Sequence, residues 1–197
     1  MSTWVRWVGV CCLSPVASAI AVAADGAHEH GIGDATLAGT GDRLEFRLDV
    51  PGDSLFGFEH KPESEAQEKA VADALLTLRE SADDLLMPSG GDCQLTSVSA
   101  ATPLEGEGHE HEEHEEHEHE EHEHEEHGDH DDHGSHSEVA WEVSWHCDSV
   151  DDLTAFSAEG LFSAFPRLET VRFQWSLPQG QGAGRLSAAE PEADLTP

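Results

Sequence analysis

Three runs of the chain alternate cleanly between apolar and polar residues. In 43–50, Leu44, Phe46, Leu48 and Val50 share one face, and Arg43, Glu45, Arg47 and Asp49 share the other. In 139–147, Val139, Trp141, Val143, Trp145 and Cys147 oppose Glu142, Ser144 and His146. In 171–177, Val171, Phe173, Trp175 and Leu177 oppose Arg172, Gln174 and Ser176. A period of two with one apolar face predicts half-buried strands. Weaker strand signals fall at Gly33 to Ala38, at Cys93 to Ala101 with Cys93 and Leu95 on one face, at Leu153 to Phe156, and at the edge pair Arg185-Leu186.

One segment changes period. Ala70, Val71, Ala74, Leu75 and Leu78 recur at helical spacing, which predicts a helix over 63–79, running at most to Leu86. Pro62 suits its first turn, and Glu63, Glu65 and Glu68 sit at its positive end. Pro88-Ser89-Gly90-Gly91 stops it, as Pro51-Gly52-Asp53 stops the strand before it. Leu161, Phe162 and Phe165 form a further apolar cluster ahead of Pro166. Several short alternating strands, one main helix and no βαβ rhythm predict an α+β, mainly antiparallel, sandwich-like domain.

Between Gly108 and Ser137 the patterning disappears. Eleven of the fifteen histidines lie there, at positions 109, 111, 114, 117, 119, 122, 124, 127, 130, 133 and 136, and almost every other residue is Glu or Asp. Such a segment has no apolar face to bury, and its like charges repel. It is expected to be a disordered His/Glu-rich insertion, spanning 105–137, between two strands. An acidic run alone reads as a solvated linker, but a linker has no need of imidazole. Neutral imidazoles and carboxylates are ligands for borderline divalent metals, with zinc first. Histidines spaced two or three apart can bend around one ion, and with about four ligands per zinc the tract has room for roughly two to four ions. Loading should compact it, and affinity should fall below about pH 6 as imidazoles protonate.

The first 24 residues read as a secretory leader: Arg6, an apolar stretch from Val8 to Ile20, and small residues up to Ala24. The stretch is short, contains Pro15 and lacks a basic stop-transfer flank, so a spanning anchor is the poorer reading. The predicted mature protein is exported and not membrane-inserted, with one domain over 25–187 and a disordered tail over 188–197. Two cysteines remain, Cys93 and Cys147, one on each side of the tract. In an oxidising compartment they are expected to form a disulfide, worth roughly 4 kcal/mol for a loop of about 55 residues. Thiolate ligation of metal is the rival reading.

The formal net charge is −33, and without the leader 8 basic residues face 42 acidic ones. That balance repels nucleic acid and anionic lipid and attracts cations. No His-Glu-x-x-His helix and no nucleophile–base set stands out, so an enzyme is not expected. Outside the tract, His28 and His30 at the mature start, with His60 and its neighbour Glu59, are candidate ligands of an ordered site. A capping His60 and a frayed terminus are the alternative. His146 reads first as an exposed strand residue.

Three pieces, His28-Glu29-His30-Gly31, Leu55-Phe56-Gly57-Phe58-Glu59-His60, and the His/acid tract followed by Trp145-His146-Cys147, occur in this order. Together they resemble the periplasmic zinc-uptake accessory proteins of Gram-negative bacteria, the ZrgA-like family. The resemblance covers most of the mature chain. It implies a periplasmic zinc-binding protein that assists high-affinity import and partners a zinc ABC importer or its binding protein. A passive buffer for excess zinc, nickel, cobalt or copper is the alternative function, and an acidic module docking a basic partner is a third.

Overall fold

The computed structural model describes residues 29–105 and 137–196. The expected leader and the His/acid tract fall outside them. The described chain folds into two sheets. The larger has six strands in the order β4-β5-β2-β1-β7-β8, comprising β1 Ile32–Thr40, β2 Arg43–Pro51, β4 Cys93–Ala101, β5 Glu138–Cys147, β7 Thr170–Leu177 and β8 Gly180–Ser187. The smaller has the order β3-β6-β9, comprising β3 Met87–Ser89, β6 Ala155–Ser157 and β9 Glu192–Asp194. All pairs are antiparallel except β1 with β7, which run parallel.

The sheets meet through aromatic rings. Phe156 of β6 is fully buried, stacks on Phe46 at 5.3 Å and on Phe173 at 5.6 Å, and meets the edge of Trp145 at 6.3 Å. The three alternating runs therefore turn their apolar faces toward the small sheet, giving the expected sandwich-like α+β architecture. The other face of the large sheet carries the polar set, on which Arg47 bridges Asp49 and Glu142. Arg172 pairs there with Asp34.

The helices fill the remaining space. α1 Gly52–Phe56 is a short turn of helix where the sequence showed only a strand stop. α2 Glu65–Glu80 is capped by Ser64, whose side chain accepts from the Gln67 amide, and buries Val71, Ala74, Leu75 and Leu78. It ends at Ser81, and the expected extension is a separate turn, α3 Ala82–Leu85. α4 Glu159–Ala164 buries Leu161 and Phe162 from the apolar cluster ahead of Pro166.

One expectation needs correction. Residues 188–196 are not a loose tail: β9 pairs with β6, Pro191 accepts the Ala158 amide at 2.9 Å, and Leu195 is fully buried. Short polar segments of this kind are ordered by main-chain pairing, which leaves little trace in hydropathy. β4 carries Cys93 and Leu95 on one face, as expected, and then changes alternation. A bulge between Leu95 and Ser97 shifts its phase, so Val98 and Ala100 turn toward the core in place of Ser97 and Ser99.

Cys93 and Cys147 stand opposite each other in the β4–β5 register and are joined by a disulfide, 54 residues apart in sequence. Their sulfurs are therefore not metal ligands. The bond ties together one end of the strand pair, and the His/acid tract leaves from the other end.

Candidate metal-binding site

The tract has two fixed roots. At the first, Leu104 is buried and Glu105 receives the Arg79 guanidinium through two hydrogen bonds of 2.8 Å. The same arginine donates to the Ala100 carbonyl. The hydrogen bonds from Arg79, aided by its charge and opposed by partial burial, hold the Glu105 carboxyl below the usual carboxylate range. At the second root, Ser137 is buried and its carbonyl accepts the Gly52 amide at 2.7 Å. That bond places the root directly on α1.

The next residues of α1 hold the start of the ordered domain. Asp53 Oδ2 lies 3.0 Å from His30 Nδ1. The fully buried Ser54 hydroxyl accepts the Gly31 amide at 3.0 Å. The Gly31 carbonyl in turn accepts the amides of Glu169 and Thr170, where β7 begins. Gly31 has a φ of 79°, a conformation that disfavours any side chain. The His30 side chain remains two-thirds exposed.

α1 also launches the segment that carries His60. Gly57 ends the helix with φ 94°, and a Cβ there would lie 3.3 Å from the Arg167 guanidinium. Phe56 and Phe58 then pack at 4.9 Å, and the His60 ring stacks on Phe58 at 5.2 Å with planes 29° apart. His60 Nδ1 contacts the Lys61 carbonyl at 2.8 Å. The run Phe56-Gly57-Phe58-Glu59-His60 is thus an aromatic mount for one exposed imidazole, with Glu59 half-buried beside it.

Of the sequence-predicted ligands, His30 and His60 lie in the described part of the chain. His28, His109, His111, His114, His117, His119, His122, His124, His127, His130, His133 and His136 lie outside it. Among the described residues no three His, Cys, Asp or Glu side chains form a metal-holding group. His146 stands exposed on the polar face of the large sheet, in register with Gln94 and Arg43, with Nδ1 3.6 Å from Asp42. Sequence reasoning missed Asp53 and Ser54, because Pro51-Gly52-Asp53 looked like a simple strand stop. The only available signal was that the His30-Gly31 step requires a partner for its amide.

Fold and site define a class: a two-sheet β domain with a histidine–carboxylate insertion between an edge strand and its neighbour, one root of which is bonded to the short helix whose Asp53 meets His30. A family model described as ZrgA family zinc uptake protein matches residues 27–195. The chain belongs to that family, and its role lies in zinc uptake. A search of the curated proteins finds no match. Among the described residues no helix is long and apolar enough to cross a membrane.

Proposed function

We propose that this protein is a periplasmic, non-enzymatic zinc-binding accessory that captures zinc and assists its high-affinity import, serving a zinc ABC importer or that importer's binding protein. The observation that carries the reading is the eleven-histidine tract set within a member of a zinc-uptake family. The rooting of that tract supports it. Both flanking residues, Glu105 and Ser137, are fastened to the domain, and the Ser137 root shares α1 with the His30–Asp53 pair. In this reading the tract collects ions, and His30 and His60, joined by His28, form an ordered station.

The test is a zinc competition titration of the processed chain beside a variant in which residues 106–136 are replaced by a short Gly/Ser linker. The variant should lose at least two zinc equivalents. An unchanged stoichiometry removes the tract from the account. Growth of a strain lacking the protein then separates the two uses of captured metal. An import helper is needed under zinc chelation, whereas a passive buffer for zinc, nickel, cobalt or copper is needed under metal excess.

A further inference from the structure

We propose that Asp53 and the Lys61 carbonyl are positioning groups that hold His30 and His60 as matched zinc donors, each presenting Nε2. The inference rests on the reading of these histidines as ligands and adds which atom of each binds and what sets it.

A neutral imidazole carries one N–H, and its other nitrogen holds the lone pair that a metal takes. A carbonyl oxygen only accepts. The 2.8 Å contact between His60 Nδ1 and the Lys61 carbonyl therefore places the proton on Nδ1 and leaves Nε2 free. An ionised carboxylate also only accepts, so Asp53 Oδ2 at 3.0 Å from His30 Nδ1 selects the same tautomer there. Two acceptors of different kinds, on different segments, engage the same ring nitrogen of two exposed histidines. This is the arrangement by which proteins orient metal-binding histidines and raise their basicity.

The supports are themselves fixed. Asp53 belongs to a helix whose first amide is held by Ser137 and whose buried Ser54 holds the residue after His30. His60 is steadied by its stack on Phe58. Ring orientation is thus set before any ion arrives, which lowers the ordering cost of binding.

Long-range ¹H–¹⁵N NMR of the full processed protein reads each ring directly, with the two histidines assigned through His30→Ala and His60→Ala. At about pH 8, above the ordinary histidine range of about 6.5, both rings in the metal-free protein should carry the proton on Nδ1. Zinc should then shift Nε2 of both. In Asp53→Ala, His30 should become a mixture of tautomers and bind zinc about 10- to 100-fold more weakly, while the His60 signals stay in place and report an intact fold. A His30 ring protonated on Nε2, or one indifferent to Asp53→Ala, overturns the positioning role. Nδ1–H tautomers retained with no zinc shift at either ring overturn the ligand reading instead, and with it the proposed use of these supports.

Discussion

Arg79 shows how one side chain holds two parts of this molecule. It caps the Ala100 carbonyl at the end of β4 and grips Glu105, the last described residue before the tract. Both partners are more than a third exposed, so the ion pair itself contributes only modestly. Loss of the carbonyl's donor adds to that. Arg79→Ala should therefore lower stability by about 1–2 kcal/mol in denaturant unfolding. The effect has a definite pH sign. Glu105 has a folded value below its ordinary 4.5, so its contribution is complete above that value and fades as acidification passes through the depressed one. The wild-type advantage over Arg79→Ala should shrink correspondingly below about pH 4.5. A difference that grows on acidification would show that the pair is not its source. None of this was legible in the sequence, where Arg79 is one of several charged residues near a helix end. The pairing depends on where β4 stops relative to α2.

The elements read more faithfully than the contacts between them. The β2, β5 and β7 runs each have one apolar face over a sheet-length stretch, so their alternation was enough to find them. β4 was found too, but its change of phase at the bulge was not. A run of small and polar residues does not announce which of them is the extra one. α1 was missed because five residues cannot show a helical period, although it carries more of the candidate site than any other element. Its Gly52 admits a close approach that no side chain allows: a Cβ would lie 2.5 Å from the Phe56 ring and 2.8 Å from the Ser137 carbonyl. Gly52→Ala should therefore cost about 1–3 kcal/mol. It should also disturb the Phe56–Phe58–His60 mount, seen as a change in the His60 ring resonances. A variant with unaltered melting and unaltered His60 signals would mean that α1 yields more easily than its packing indicates.

At the scale of the whole molecule, a dense negative charge is attached to a modest core. The disulfide closes the loop that contains the tract, and it joins β4 to β5 at the end opposite the roots. Replacing both cysteines by serine should remove about 4 kcal/mol in the chain-entropy account, measurable as a large drop in the urea midpoint. An unchanged midpoint would mean that strand pairing alone holds the tract's base. The histidine tract, the three main strands, the principal helix, the cysteine pairing and the family were all readable from residue order, because composition, periodicity and motif order are local properties. Tertiary structure alone decided the parallel β1–β7 pairing, the ordering of the C-terminal residues as β9, and the meeting of Ser137, Asp53 and His30 at α1. Those rest on hydrogen bonds and ion contacts between residues far apart in the chain, for which no local pattern exists.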